Sequence, residues 1–355
     1  VLYRLRDLKA AESWRVTEIN VPMWTPATQK TWGLRRLLRN AWRALFAHLA
    51  VIARYLAASR PQRVYVPYPA VPVLVLLSLL PRRLRPGRTV ADAFISLYDT
   101  VVEDRRIFRQ GSLPARLLEK LERRAYCAAD VLVADTAQNA AYLARRFGLP
   151  PGKVVPVPLS TDEDNFRPVA YAPVTGRCRV LFIGTFIPLH GADVIAAAAV
   201  LLAHRPDIRF KLVGDGQTAS QVTGMLKAGG VEVEWDSAWQ SSRRLAQEIA
   251  AADICLGIFG AGDKAQRVCP LKVYAYCAMG RAVITADTRW TREALGGLDY
   301  EPFWLVAPGD PRALAEAIEK LADDPERRAA YARASRRFYQ ERLSNGAAME
   351  RLAQL

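Results

Sequence analysis

The chain is short of the features that would make it a metalloprotein, a disulfide-stapled secreted domain or a membrane-spanning protein. Its five cysteines, Cys127, Cys178, Cys255, Cys269 and Cys277, are odd in number and scattered, with no C-x-x-C spacing and no Cys/His cluster. Structural zinc and a disulfide framework are therefore not expected, and a reducing compartment such as the cytosol is. No D-x-D pair stands near a phosphate-type loop, so no metal is expected to carry phosphate charge. The most apolar window, Val64 to Leu80, is broken by Pro67, Pro69 and Pro72 and falls short of the ~20 apolar residues of a spanning helix. No secretory signal is read, so a cytoplasmic protein that does not cross the bilayer is expected. With 51% apolar residues over 355 positions, disorder is excluded as the main state, and two compact domains are expected.

Acidic residues are also in deficit, and the deficit is local. Formal net charge is +15, with residues 1–170 holding 27 Lys and Arg against 14 Asp and Glu, and the remainder 23 against 21. A one-sided basic surface attracts anionic partners, nucleic acid or lipid. The segment Trp32 to Phe46 interleaves Arg35, Arg36, Arg39 and Arg43 with Leu34, Leu37, Leu38, Trp42, Leu45 and Phe46 at helical spacing, as an interfacial helix on an anionic membrane would. The competing account is a helix packed on a sheet with its arginines solvated. No nucleic-acid recognition module is visible, and specific nucleic-acid binding is not expected.

Apolar runs alternate with helical patterns along both halves. The first half reads as a helix at Val1–Leu8, a strand at Val16–Val21, a long helix to about Ser59, a strand at Arg63–Val66, a helix through Leu80, a strand at Thr89–Phe94, a helix over Pro114–Ala129 and a strand at Val131–Ala134. After the polar connector Asp162–Thr175 the alternation restarts with Arg179–Ile183, Phe210–Val213, Val231–Trp235 and Ile254–Gly257 as strands, helices lying between them. Strands alternating with helices imply parallel sheets covered on both faces, here two doubly wound units. Such a fold normally opens on a buried strand and a loop, so roughly 15–20 further residues are expected upstream of Val1.

The densest chemistry lies in Lys264 to Gly280, followed by the strand-like Arg281–Asp287. Lys264, Arg267 and Lys272 surround a turn that opens a short helix, and a helix start beside clustered cations favours an anion, with a diphosphate as natural guest. The stretch reads K-x-x-R-x-x-P-x-K-x-Y-A-x-x-A-M-G-R-x-V-I-T. It resembles the nucleotide-sugar signature of the retaining glycosyltransferases of family 4, which share the two-domain GT-B fold. Asp92-Ala-Phe-Ile-Ser-Leu-Tyr-Asp99-Thr100 resembles the D-x-F-x-S-x-Y-D-T of one branch of that family. The resemblance implies an acceptor-side domain over 1–165, a nucleotide-sugar domain over 166–335 and a final segment, 336–355, crossing back to the first domain.

It also implies residue roles. Gly184 and Thr185 would lie over the donor diphosphate, with Gly214-Asp215-Gly216 as a tight turn beside them and Phe259 near the base or sugar. Arg267 would hold phosphate oxygens in its planar fork, with Lys264 and Lys272 as point charges. Asp92 and Asp99 are candidate catalytic carboxylates, able to orient the acceptor hydroxyl or take its proton, although turn and capping roles compete. Trp32, Arg35, Arg36, Arg39, Trp42 and Arg43 would face the membrane or acceptor. No cofactor beyond the nucleoside-diphosphate sugar is expected.

One position departs from the family. Where relatives carry a glutamate that grips the ribose hydroxyls, this chain has Ala275. Charge-assisted hydrogen bonds of that kind contribute roughly 1.5–3 kcal/mol each, so donor affinity should be weaker by at least about tenfold. An inactivating substitution, another group holding the ribose, and a protein that has lost catalysis all fit. The expectation is a retaining glycosyltransferase acting on a saccharide or lipid-linked acceptor in surface polysaccharide assembly; a nucleotide-sugar epimerase of the same fold and a non-enzymatic binding protein are the alternatives.

Overall fold

The computed structural model describes residues 2–10, 15–22, 34–58, 61–171 and 176–355. Two sheets, both wholly parallel, divide it. The first has the order β1 (Arg63–Val66), β2 (Arg88–Asp92), β3 (Val131–Ala134), β4 (Val154–Pro156). The second has six strands in the order β10 (Phe303–Val306), β9 (Ala282–Ala286), β8 (Ile254–Leu256), β5 (Cys178–Ile183), β6 (Ile208–Val213), β7 (Glu234–Asp236). This is the GT-B architecture.

Burial follows from parallel pairing. Every residue of β3 and of β9 is buried, as it must be where helices cover both faces. On the first sheet these include α2 (Leu34–Ala57), α3 (Val71–Leu79), α4 (Leu113–Ala128) and α5 (Ala137–Phe147). Turn chemistry sets the ends of α5: the Thr136 side chain accepts from the Asn139 amide at its start, and Gly148 takes the left-handed conformation, φ 60°, at its end.

Two parts of the first domain differ from expectation. Residues 15–22 form no strand; Ile19 packs on the first core and Arg54 of α2 donates to the Asn20 carbonyl at 2.8 Å. The alternating pattern of Val16–Val21 therefore meets a helix instead of a sheet edge. Helix α5 and strand β4 were not read in the sequence; β4 is three residues long and too short for a periodic signal.

Both ends of the described chain meet the first sheet. Helix α1 (Leu2–Ala10) and helix α13 (Asn345–Ala353) share an apolar cluster in which Leu8, Ala348 and Leu352 join Val90, Val131 and Val133. Tyr3 also spans the two halves, its hydroxyl donating to Asp162 at 2.9 Å and lying 3.3 Å from the Ser242 hydroxyl.

Candidate active site between the two sheets

In parallel sheets the loops beyond the carboxyl ends of the strands gather on one side, and here these loops carry the polar groups. From the first domain come the segment after β2, which includes the π-helical turn Asp99–Asp104, and Asp135–Asn139 after β3. From the second come 184–191 after β5, 257–261 after β8, and the turn leading to α9 (Leu271–Ala278).

Two of the three signature cations reach across to the first domain. Arg267 is buried, and each guanidinium nitrogen has a protein acceptor: Nη2 donates to Asp99 Oδ1 at 2.9 Å, Nη1 to Asn139 Oδ1 at 3.1 Å and Nε to Asp263 Oδ2 at 2.8 Å. Its plane lies over the Tyr142 ring, 3.7 Å from the centroid. Lys264 Nζ sits 3.3 Å from Asp99 Oδ2 and donates to the Thr100 hydroxyl at 2.8 Å. The backbone joins in: the Thr136 hydroxyl donates to the Arg267 carbonyl, and the Cys269 amide donates to Asp135 Oδ2 at 3.3 Å. Asp135 also accepts from Asn139 at 2.7 Å, and its burial raises its pKa to about 6.

These contacts correct two expectations. Arg267 is not an open fork waiting for phosphate, because Asp99 and Asp263 already neutralise it in a buried setting. Asp99, in turn, is not a free base, since Arg267 and Lys264 both engage its carboxylate. Asp92 is also committed: Arg4 of α1 donates to its Oδ1 at 2.6 Å, Tyr65 donates to the same oxygen at 2.7 Å and the Tyr68 amide donates to Oδ2 at 3.3 Å. Arg4 continues to the Pro158 carbonyl at 2.7 Å, so Asp92 anchors α1 beneath the sheet end.

Lys272 is the exception. No carboxylate lies within ion-pair distance of it among the described residues. Its ammonium makes one long contact, 3.4 Å to the Gly257 carbonyl, and lies 3.9 Å over the Phe182 ring. Burial pushes its pKa well below the ordinary lysine range. Gly184 makes this position possible: a Cβ there would stand 2.6 Å from Lys272 Nζ and 3.1 Å from His190 Nδ1. His190 contacts the Thr185 carbonyl, and burial together with Lys272 lowers its pKa well below the usual value, leaving it neutral. Neither α9 nor α6 (Ala192–Leu201), whose N-cap residues are Pro270 and Gly191, has a side-chain cap on its first amides. An unpaired cation beside uncapped helix starts is an anion-receptive arrangement.

The other predicted residues lie partly on the neighbouring loops and partly elsewhere. Gly214, at φ 132°, lies so near Gly184 that a Cβ would meet its carbonyl oxygen at 2.0 Å, and Gly216 approaches the Phe186 carbonyl in the same way. Asp215 is exposed and accepts from the Gly216 amide at 2.8 Å, closing its own turn, while Thr185 is exposed on the loop. Phe259 is a correction: its ring is fully buried in the second core, so it cannot line the crevice. A half-buried ring that does border this loop is Trp235, stacked on Phe186 at 4.9 Å and donating to the Gly214 carbonyl at 2.9 Å. Ala275 is buried in an apolar cluster on α9. Trp42 and Arg43 are exposed on α2; Trp32 lies outside the described residues, as do the side chains of Arg35, Arg36 and Arg39.

Sequence reasoning passed over the first-domain half of the contact, Asp135, Thr136, Asn139 and Tyr142. Asp135 directly follows the wholly apolar strand Val131–Ala134, where a parallel sheet presents its ligand-side loops, and that position was the available signal.

Residues 177–324 match the family described as glycosyl transferases group 1, and residues 6–160 match the glycosyl transferase 4-like domain. The D-inositol 3-phosphate glycosyltransferase of Streptomyces avermitilis is 30% identical over 61% of this chain and 49% of its own length. The D-inositol 3-phosphate glycosyltransferase 2 of Catenulispora acidiphila is 32% identical over 56% and 49%. The chain spans about half the length of the curated relatives it matches. In fold it is similar to sucrose-phosphate synthase from Thermosynechococcus elongatus, with a TM-score of 0.70 at 20% identity over 91% of this chain and 79% of that one. It is likewise similar to Anabaena HepE in complex with UDP, with a TM-score of 0.66 at 15% identity over 87% and 82%. A glycosyltransferase model thus matches each half of the chain, and the two halves are built on the GT-B fold that these neighbours share.

Proposed function

We propose that this protein is a retaining transferase that moves a sugar from a nucleoside-diphosphate donor, seated on the second domain, to a saccharide on a lipid-linked acceptor presented by the first. The observation that carries the reading is Lys272, a cation without a carboxylate partner among the described residues, held between Gly184 and Gly257 beside an uncapped helix start. Donor diphosphate would complete its charge, with the Thr185 hydroxyl and the amides of the 184–191 loop as further donors. In this reading cations and helix starts meet the phosphate charge, and no metal is required. Relatives and neighbours in complex with UDP and UDP-glucose support a nucleotide-sugar donor.

The committed states of Asp92 and Asp99 bear on mechanism. A double-displacement path needs a free carboxylate nucleophile, and both candidates are tied in ion pairs. A front-face path does not: the acceptor oxygen bonds the anomeric carbon on the face from which the diphosphate departs, and the acceptor proton passes to the leaving phosphate oxygen. Asp99 then acts as a positioning residue, joining the acceptor-side loop to the donor-side signature. Action at the cytoplasmic face of a membrane, in polysaccharide assembly, fits the basic first domain and the exposed Trp42 and Phe46 of α2.

Calorimetric titration of UDP, GDP and their sugar conjugates into this protein, and into its Lys272→Met variant, tests the donor site. Micromolar binding that falls at least about a hundredfold in the variant supports it; equal binding by both, or by neither, overturns it. Ala275 favours one second reading, a binding protein that retains the donor crevice without turnover. Label that binds but never reaches any acceptor would select that reading.

A further inference from the structure

The loop that carries Asp99 does not end at the cleft. After the π-helical turn Asp99–Asp104 the chain folds back, with the Arg105 amide donating to the Thr100 carbonyl at 3.0 Å and the Ile107 amide to the Val101 carbonyl at 2.8 Å. Arg106 takes a left-handed conformation, φ 53°, uncommon for a residue with a side chain. This fold-back turns Ile107 (62% exposed) and Phe108 outward.

Helix α4 follows at once and extends the surface. Leu113, Leu117 and Leu121, spaced by four along the helix, share its outer face with relative exposures of 82%, 66% and 42%. The opposite face holds Ala115, Glu122, Ala125 and Tyr126 in the core. At the far end of α4, Arg124 Nε donates to the Ser78 hydroxyl at 3.1 Å, bringing the exposed Leu79 of α3 beside the stripe.

Charge decides what such a surface meets. Arg105, Arg106 and Arg109 on the loop are exposed, as are Arg116, Lys120 and Arg123 on α4, and none forms an ion pair with a described residue. The segment's two acids are withdrawn. Glu119 pairs with Arg146 at 3.3 Å, and Glu122 is fully buried, accepting from Ser96 Oγ at 2.8 Å, the Leu97 amide at 2.7 Å, the Tyr98 amide at 2.9 Å and the Tyr126 hydroxyl at 3.0 Å. Exposed leucines ringed by unpaired cations, with no exposed carboxylate between residues 105 and 124, complement an anionic bilayer: apolar side chains enter the interface while the basic residues meet lipid phosphates. A protein partner would have to be anionic and apolar at once, with nothing here to fix its register.

We infer that residues 105–121 form a bilayer-docking surface separate from α2, continuous through the Asp99–Asp104 turn with the contact to Arg267 and Lys264. The inference rests on the reading of the chain as membrane-associated, and it adds where the acceptor enters. A lipid-linked saccharide would arrive at the cleft along this loop, already at the height of the headgroups. Glu122 would help set that height, because it ties α4 to residues 96–98, just ahead of the Asp99–Asp104 turn.

Sedimentation with vesicles tests this, using equal parts phosphatidylglycerol and phosphatidylcholine against phosphatidylcholine alone. The proteins compared are the native chain, a Leu113→Ser/Leu117→Ser variant, an Arg105→Glu/Arg106→Glu/Arg109→Glu variant and, for α2, Trp42→Ser/Phe46→Ser. All of these side chains are exposed, so the variants should fold, and UDP titration of each checks that the donor site is intact. The expected result is selective binding to the anionic vesicles that weakens at least about tenfold in both loop and α4 variants, with nucleotide binding unchanged. Binding lost only in the α2 variant overturns this inference and leaves membrane association standing. No vesicle binding by the native chain overturns both, without touching the donor site. Self-association of the native chain that the leucine variant abolishes would make the surface a contact between copies and would also overturn the inference.

Discussion

Arg267 and Lys272 belong to one short motif, yet they sit in opposite electrostatic settings. Arg267 is buried at the domain boundary with a carboxylate on either side and an aromatic ring beneath. Lys272 lies at the strand ends of the second sheet with a distant carbonyl, a ring face and, among the described residues, no carboxylate. The first arrangement is already neutral and joins the domains; the second is incomplete, and on that ground we propose that it binds. A cation cluster read as one diphosphate site thus separates into a latch and a proposed receptor.

The sharpest way to break the comparison is to remove the latch. Asp99→Ala leaves Arg267 buried with one of its two carboxylates gone, and losing one partner of a buried pair costs about 3–5 kcal/mol. Urea unfolding should show a loss of that order; a loss under about 1 kcal/mol would mean that the two domains are held elsewhere.

Lys272→Met should behave in the opposite sense, with donor affinity falling about a hundredfold, close to 2.7 kcal/mol, while the fold is preserved. The pH dependence has a definite sign. Burial lowers the Lys272 pKa in the folded state, so the unfolded chain binds the proton more tightly, and native stability rises with pH toward the ordinary lysine value of about 10.4. The methionine variant should lack that rise in thermal scans. A variant less stable than the native protein at neutral pH would mean that Lys272 has an anionic partner after all.

Ala275→Glu sharpens the receptor half. If α9 approaches the ribose, the new carboxylate should tighten nucleotide binding by about tenfold, near 1.4 kcal/mol, with free phosphate binding unaffected. Because Ala275 is buried among apolar neighbours, the same change should lower the melting temperature. Stability that falls without any gain in affinity would show that this helix face does not reach the ribose.

The smallest effect concerns Asp135, which joins Asn139 to the Cys269 amide across the boundary. Its pKa is raised to about 6, against 3.8 for an ordinary aspartate, so the folded state holds the proton longer. Its contribution is therefore fully present below about pH 4 and is lost as pH rises through about 6. Asp135→Asn should flatten that stretch of the stability curve by about 1 kcal/mol net, since the amide can still accept from Asn139. An unchanged curve would place the titration on another group.

Much of the fold was legible because parallel sheets write themselves as largely apolar runs between helical patterns; Val131–Ala134 and Ala282–Ala286 are examples. Val16–Val21 misled because alternation marks a half-buried segment without saying what buries it, and α2 does so here. Phe259 misled in a related way. Its place after a strand was right for the crevice, but its ring turns into the core, and side-chain direction in a loop has no period to read. The partners of Arg267 were invisible because Asp99 and Asn139 lie 168 and 128 positions away, on another domain.

By itself the sequence determined the two doubly wound units, the glycine-lined loops and the cation-rich helix start, since local pattern and backbone permission are encoded residue by residue. The uneven charge was equally plain. Only the tertiary structure decided which signature cations are spent and which has no carboxylate among the described residues, because neutralisation depends on what stands within a few ångströms across the domain boundary. It also decided which leucines of α4 face outward unpaired, for a helix carries its apolar stripe in sequence but not the neighbour that covers it or leaves it bare.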